Sequence, residues 1–193
     1  MTKPGFSGDW KGGYGSTLPI GHILRHEHGR SWTRFHALPG SKRYADTTQD
    51  QHVILERAEA LSIALFDGCA DLWLVSVVFL FGTDAPKTIT LANDTLVLEL
   101  QSCASPTADT FDDDVTNIGI YAKQVDLNCQ GLPLLWHEIA EDVKRALLFD
   151  PVSHRVFAPY DGGFDLFLES GAPKRDFEAK FPDWMPSTGG NCD

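Results

Sequence analysis

Apolar residues recur along one stretch of the chain with the period of an α-helix. Four of them fall at positions i, i+4, i+7 and i+11 and so share one helix face: Ile54, Ala58, Leu61 and Leu65. Thr48 and Gln51 have the spacing of a capping box, in which two side chains satisfy free amides at the start of a helix. Gly68 follows the last apolar position. The pattern therefore predicts a first main helix that begins near Thr48 and ends before Gly68.

Other stretches show the shorter periods that are typical of β-strands. The run LWLVSVVFLF (72–81) has ten residues, whereas a membrane-spanning helix needs about 20, so it predicts a buried strand. Alternating apolar or β-branched residues predict strands in four more segments: SWTRFHAL (31–38), TITL (88–91), LVLEL (96–100) and IGIYAKQVDL (118–127). Asn93 and Asp94 are typical turn residues and join the two shortest of these strands.

The last third of the chain predicts a second helix, three strands and a short third helix. Pro133 suits the first turn of a helix, where its missing amide costs nothing. The inner face of this helix carries Trp136, either Ile139 or Ala140, and Val143. Residues 145–169 predict three strands, with turns at positions 150–151 and 161–163. Pro173 then begins a short C-terminal helix.

Strands that cluster along the chain, instead of alternating regularly with helices, are typical of the α+β class. We therefore predict an α+β fold with a mostly antiparallel sheet, two main helices and a short C-terminal helix. The length of 193 residues suits one domain. We expect residues 1–16, which are rich in glycine, to form a flexible N-terminal arm. Residues 17–187 are then the single domain, and residues 188–193 a C-terminal tail.

The charge of the chain limits the partners that it can have. Sixteen Lys and Arg residues oppose 27 Asp and Glu residues, which gives a net charge of −11 at pH 7. Such a surface repels nucleic acid phosphates and anionic membranes, and it attracts a basic protein. We therefore predict no nucleic acid partner and no membrane partner.

The cysteines and the N-terminus together predict the cellular location. The four cysteines, at positions 69, 103, 129 and 192, form no Cys-x-x-Cys pair. The N-terminal residues MTKPGFSGDWKGGYG are polar and Gly-rich, and they do not resemble a secretory signal. We therefore expect reduced thiols and a cytoplasmic location.

Several common catalytic and metal-binding motifs are missing from the sequence. HILRHEH (22–28) and WHEIAED (136–142) each contain a His-Glu pair without the second histidine of the His-Glu-x-x-His zinc motif. The triplet Asp112, Asp113 and Asp114 lacks the alternate spacing of calcium ligands. Neither a Gly-x-Ser-x-Gly elbow nor a Gly-rich nucleotide-binding loop is present. We therefore predict no metal, no cofactor and no catalytic residue.

Two polar clusters remain as candidates for a site. In RVFAPYDGGFDLFLES (155–170), turn chemistry explains Asp161 and the two glycines, one of which we expect at positive φ. It does not explain Asp165. In the basic segment PGSKRYAD (39–46), Lys42, Arg43 and Tyr44 either pair with Asp161 or Asp165, or bind an anion. We expect Asp165 and the Lys42–Arg43 pair to contact each other or to lie on one rim.

Four stretches resemble a family of uncharacterised bacterial proteins: WTRFHALPGSKRYADT (32–47), HVILERAEALSIALF (52–66), LLFDPVSHRVFAPYDGGFDLFLES (147–170) and RDFEAKFPDWMPS (175–187). In the last third the chain is similar to the domains of unknown function typed as DUF3885. The shared positions include Arg34, His36, Ser41, Lys42, Arg43, Tyr44, Pro159, Tyr160, Asp161, Gly162, Gly163, Asp165 and Trp184. The resemblance implies the fold and no reaction.

Two functional hypotheses follow, beside a plain interaction domain. In the first, the protein is a small acidic cytosolic binding module of the immunity or antitoxin type, which neutralises a basic protein toxin. The alternative is a hydrolase-like enzyme with a polar site around His36, Arg43, Asp161 and Asp165. The candidate binding residues are Arg34, His36, Lys42, Arg43, Tyr44, Asp109, Asp112, Asp113, Asp114, Tyr160, Asp161 and Asp165.

Overall fold

A computed structural model describes residues 5–69, 71–82, 84–106, 114–169 and 171–186. The strands are β1 (Trp32–His36), β2 (Leu72–Leu80), β3 (Thr88–Leu91), β4 (Leu96–Ala104), β5 (Asn117–Val125), β6 (Leu147–Phe149), β7 (Val156–Tyr160) and β8 (Gly163–Phe167). The helices are α1 (Phe6–Tyr14), α2 (Gly21–Glu27), α3 (Thr48–Leu65), α4 (Leu132–Ala140) and α5 (Ala172–Glu178), with 3₁₀ turns at Pro39–Ser41 and Pro182–Trp184.

All eight strands form one sheet, in the order β1-β8-β7-β6-β2-β5-β4-β3. Every neighbouring pair is antiparallel, which confirms the predicted α+β class with an antiparallel sheet. The order brings β1, from the first quarter of the chain, next to β8, from the last quarter. The two polar clusters of the sequence therefore lie at the same end of the sheet.

The larger core lies between one face of the sheet and helices α3, α4 and α5. The four apolar residues of the predicted α3 face are all buried there. Val143, in contrast, was placed on the inner face of α4 and is 64% exposed. The physical reason is that α4 ends at Ala140, so the helical period no longer directs the Val143 side chain inward.

The capping box of α3 lies one residue earlier than predicted. Thr47, not Thr48, accepts a hydrogen bond from the amide of Asp50, and the carboxylate of Asp50 accepts from the amide of Thr47. Aspartate is as good a partner as glutamine here, because a carboxylate at the helix start also interacts favourably with the helix dipole.

The opposite face of the sheet carries α1 and α2. Residues 1–16 were expected to form a flexible arm, but α1 buries Phe6, Trp10 and Tyr14 against Trp73 and Phe149 of the sheet. These three aromatic residues follow the i, i+4, i+8 spacing of one helix face. Hydrogen bonds fix them: the Trp10 Nε1 donates to the Thr17 carbonyl at 2.7 Å and the Tyr14 hydroxyl to the His154 carbonyl at 2.7 Å.

Strands β7 and β8 form the predicted hairpin, with Tyr160 paired to Gly163 across a two-residue turn. The expectation of a positive φ at Gly162 or Gly163 is wrong, because the glycines with positive φ among the described residues lie elsewhere. Close packing requires the glycine instead. A Cβ atom at Gly163 would lie 2.3 Å from the carbonyl oxygen of Phe35 on β1.

Two further predictions can be compared with the described residues. Cys69, Cys103 and Cys129 are free thiols, and Cys192 lies outside the described part of the chain. No described helix has the length and apolar character that crossing a membrane requires. The run at 72–81 is strand β2, as predicted.

Candidate functional site

A cleft of about 620 Å³ opens on the face of the sheet that carries α2. Val75, Val77 and Ala158 form its apolar floor on strands β2 and β7. Its walls come from α2, from the turn that contains residues 41–43, and from residues 142–147. This volume is in the range of small-molecule sites in proteins. We call this site the cationic cleft, for the charges that line it.

The charge of the cationic cleft is opposite in sign to that of the whole chain. Five basic side chains line it: Arg25, Arg34, Arg43, Lys144 and Arg145. Three carboxylates line it as well: Asp142, Asp161 and Asp165. With histidines neutral, the lining carries a net charge of +2, in a protein whose net charge is −11. A concave surface of one sign concentrates ligands of the other sign.

Arg34 and Asp165 form a two-pronged ion pair in the cleft. The Arg34 Nε lies 2.8 Å from Asp165 Oδ1 and the Nη2 3.2 Å from Oδ2, with the Asp165 side chain only 6% exposed. The guanidinium also lies 5.2 Å from the ring of Trp32 and 4.9 Å from the ring of Tyr160. Burial raises the pKa of Tyr160 to about 12, so its phenol stays protonated at neutral pH.

A second ion pair joins the two sequence motifs at the rim. The Arg43 Nε and Nη2 lie 2.7 Å and 2.6 Å from Asp161 Oδ2, and the Tyr44 hydroxyl donates to the same oxygen at 2.9 Å. This hydrogen bond raises the pKa of Tyr44. Of the predicted pairings for the basic segment, the one between Arg43, Tyr44 and Asp161 is therefore present.

Lys42 does not share this rim, contrary to expectation. Its Nζ lies 2.6 Å from Asp50 Oδ2 and 2.9 Å from Asp46 Oδ2, at the start of α3. The hydrogen bond from Lys42 holds the pKa of Asp50 down to about 2. Lys42 pairs instead with carboxylates close to it in the sequence, because Asp46 and Asp50 follow it by four and eight residues. Lys42 thus stabilises the start of the helix, whereas Arg43 and Asp165 both line the cleft.

A second wall of the cleft holds the basic side chains of Arg25, Lys144 and Arg145. Among the residues that the structure describes, no carboxylate lies within ion-pair distance of Arg25 or Lys144. Arg145 is 70% exposed and lies 3.8 Å from Asp142. Partial burial lowers the pKa of His22, and the charges of Arg25 and Arg145 lower it further. Both guanidinium groups therefore disfavour a positive charge on His22.

Sequence reasoning missed this wall. His22 was considered only as a metal ligand or a surface histidine, and Arg25, Lys144 and Arg145 were not singled out. The basic residues lie about 120 positions apart along the chain, and only the strand order brings them together.

His36 and Ser41 contact each other within the lining of the cleft. The Ser41 Oγ lies 3.2 Å from the Nε2 of His36, and both residues line the cleft. Burial lowers the pKa of His36, and the charges of Arg34 and Arg57 lower it further. The imidazole is therefore neutral at pH 7.

Of the four aspartates predicted to bind at positions 109 and 112–114, only Asp114 lies within the described residues. Asp109, Asp112 and Asp113 lie outside the described residues. Asp114 is exposed and is not part of the cleft lining. Within the described ranges, no group of three or more His, Cys, Asp or Glu residues is placed to bind a metal ion.

Comparison with known proteins gives one match. The family model of the "Domain of unknown function (DUF3885)" matches residues 20–188, which include every described residue that lines the cleft except Pro19. No curated protein and no solved structure matches the chain.

Proposed function

The chain belongs to the DUF3885 family, and we propose that its function is to bind a small anionic ligand in the cationic cleft. One observation carries the proposal. Among the described residues, Arg25 and Lys144 line the cleft together with Arg145 and His22 and have no carboxylate within ion-pair distance, although the chain has an excess of acidic residues.

Structural roles account for the other charges of the cleft but leave this wall unexplained. Arg34 and Arg43 neutralise Asp165 and Asp161, and these pairs join β1 and the basic turn to the hairpin. Like charges brought together around His22 repel each other and disfavour its protonated form. A bound anion would reverse this repulsion.

The lining also limits the chemistry of the ligand. Guanidinium groups suit carboxylates and phosphates, to which they donate two parallel hydrogen bonds. Val75, Val77 and Pro159 favour a ligand that has an apolar part beside its anionic group. The net charge of −11 opposes the approach of large polyanions, so a ligand with one or two charges is favoured over nucleic acid.

Phenyl phosphate combines these features and serves as the probe. We expect its titration, followed by NMR of the histidine rings, to shift the His22 signals. The double variant Arg25→Gln/Lys144→Gln should weaken binding by about 10- to 100-fold for each lost charge-assisted hydrogen bond. Lys87→Gln is the matched control, because it removes a positive charge outside the cleft lining. If Lys87→Gln weakens binding of phenyl phosphate equally, the binding depends on overall charge, and the proposed site is refuted.

The immunity hypothesis is a second proposal, supported by the distribution of charge. Since the cleft lining carries +2, the rest of the chain carries −13, and this acidic surface is available to a basic protein toxin. Complementary charge of this kind speeds association and disfavours wrong partners. A cytoplasmic location belongs to the same proposal. The two functions use different surfaces and can be tested separately.

A further inference from the structure

The turn after β1 holds a serine hydroxyl in a fixed position at the edge of the cationic cleft. Gly40 and Ser41 both have positive φ, 68° and 60°, which is uncommon for serine. This conformation places the Ser41 Oγ 3.2 Å from His36 Nε2, at hydrogen-bond distance. The Ser41 side chain is exposed, so a ligand in the cleft can reach its hydroxyl.

His36 has the protonation state and the fixed backbone position that a general base needs. Its ring is neutral at pH 7, since burial and the charges of Arg34 and Arg57 disfavour protonation. The Arg57 Nη1 donates to the His36 carbonyl at 2.8 Å, which fixes the backbone at the end of β1. Arg34, one of the two charges that act on His36, is itself paired with Asp165 of the hairpin.

From this geometry we propose that Ser41 and His36 are a nucleophile and a general base that hydrolyse an ester of an anionic acid bound in the cleft. This inference rests on the proposed anion binding and adds a reaction to it. Pairing of a hydroxyl with a neutral imidazole at this distance is the arrangement that activates serine in acyl transfer. Arg34, whose charge acts on His36, also lines the cleft and can stabilise negative charge that develops on the ester oxygen.

The reaction has two balanced steps. In the first, the Ser41 Oγ forms a bond to the ester carbonyl carbon and passes its proton to His36 Nε2. The carbon–oxygen bond to the alcohol then breaks, and the alcohol leaves with that proton. In the second step, water attacks the acyl group on Ser41 while His36 takes its proton and returns it to Oγ, which releases the carboxylic acid.

The mono-p-nitrophenyl ester of terephthalic acid tests this proposal, since it is an anionic ester with a visible leaving group and its rigid carboxylate cannot reach its own ester carbonyl. We expect p-nitrophenolate release together with a 4-carboxybenzoyl adduct on Ser41, identified by peptide mass spectrometry. Ser41→Gly should lower the rate by at least about 100-fold, and His36→Gln by a similar factor. The wild-type rate should fall as His36 is protonated, with a midpoint below pH 6.5.

Ser41→Gly is also the control for folding. Glycine takes a φ of 60° without strain, so this variant loses the hydroxyl and keeps the turn. Its melting temperature should equal or exceed that of the wild type. Undiminished ester cleavage by Ser41→Gly, or the lack of an adduct on Ser41, would overturn the reaction. If phenyl phosphate still shifts the His22 signals in Ser41→Gly, the proposed anion binding stands even though the proposed reaction does not.

Discussion

Arg34 and Asp165 face each other across the β1–β8 ladder and form an ion pair with Nε–Oδ1 at 2.8 Å and Nη2–Oδ2 at 3.2 Å. This pair explains why an aspartate follows the hairpin turn, where turn chemistry requires none. The side chain joins the edge strand β1 to the hairpin and balances a half-buried arginine. Its contribution is therefore structural, and the basic wall of Arg25 and Lys144 remains for the ligand.

Removal of one partner from this pair should destabilise the fold. Arg34→Met leaves the 6% exposed carboxylate of Asp165 without its counter-charge, so we expect a loss of about 3–5 kcal/mol in the free energy of unfolding. Urea denaturation measures it. Arg145→Met is the matched control, because both side chains of its ion pair with Asp142 are exposed, 70% and 52%, and we expect a loss of at most about 1 kcal/mol. Equal losses in the two variants would contradict this account.

The two glycines of the hairpin should respond differently to alanine. At Gly163 a Cβ atom would meet the Phe35 carbonyl at 2.3 Å, and we expect overpacking to cost about 1–3 kcal/mol of stability. At Gly162 the nearest atoms are side-chain atoms of Tyr160 and Arg43, at 3.3 Å and 3.5 Å, which can move. Gly162→Ala should therefore be close to neutral. Thermal or urea unfolding of the two single variants compares them directly, and a larger loss at Gly162 would refute the packing explanation.

Helix α1 gives a third test of stability. Trp10 is 5% exposed and packs on Tyr14 and Phe149, so Trp10→Ala should cost about 3–5 kcal/mol. Lys11, the next residue, is exposed, and Lys11→Ala should change stability by less than about 0.5 kcal/mol. If residues 6–14 were a flexible arm, both variants would unfold like the wild type.

These results show why some of the fold was predictable and some was not. Because α3 buries one face, its apolar residues recur with the helical period, and this pattern predicts the helix correctly. The apolar and alternating runs likewise predict the strands. In α1 the aromatic period is interrupted by glycines, which usually weaken helices. At Gly13 the glycine has a packing reason, because a Cβ atom would lie 2.8 Å from the ring of His154. That contact depends on residues 141 positions apart and cannot be read from a local window.

The sequence likewise predicted one part of the candidate site and missed another. Opposite charges in two motifs indicated that Arg43 and Asp161 pair, and they do. The pairing of Lys42 depended on a helix cap whose position was predicted one residue too late. The basic wall of Arg25 and Lys144 has no motif, because its members come from separate elements that only the strand order assembles.

The pKa of His22 should respond to its neighbours and to a bound anion. It lies below the usual 6.5 in the free protein, and Arg25→Gln should raise it, because a repelling positive charge is removed. Because the folded pKa is the lower one, His22 reduces stability as the pH falls below 6.5. A bound anion favours the protonated form of His22, so the affinity for the anion should increase as the pH falls below 6.5. Sulfate is the suitable probe, since its charge does not change in this pH range. NMR titration of the His22 ring gives both the pKa of His22 and the affinity for sulfate.

The acidic surface is tested through association rates, if the protein neutralises a toxin. A toxin that acts on nucleic acid presents a basic cleft to phosphates, and a protein of net charge −11 competes for that cleft. Long-range attraction should accelerate association by about 10- to 1000-fold, and salt should weaken it. We expect residues 109 and 112–114 to make the contact, since consecutive acidic side chains carry the highest local charge. Changing all four aspartates to asparagine should lower the association rate and its salt dependence.

The partner for that measurement is a basic protein recovered by pull-down from the native host. A variant with Arg25→Gln/Lys144→Gln is the control, because it alters the cationic cleft and leaves the four aspartates in place. We expect this control to bind the toxin as fast as the wild type, since a basic partner is repelled by the cleft. An unchanged association rate in the asparagine variant would show that this segment is not the contact. If the host yields no basic partner, the immunity hypothesis is refuted, while anion binding in the cleft still stands on its own titration.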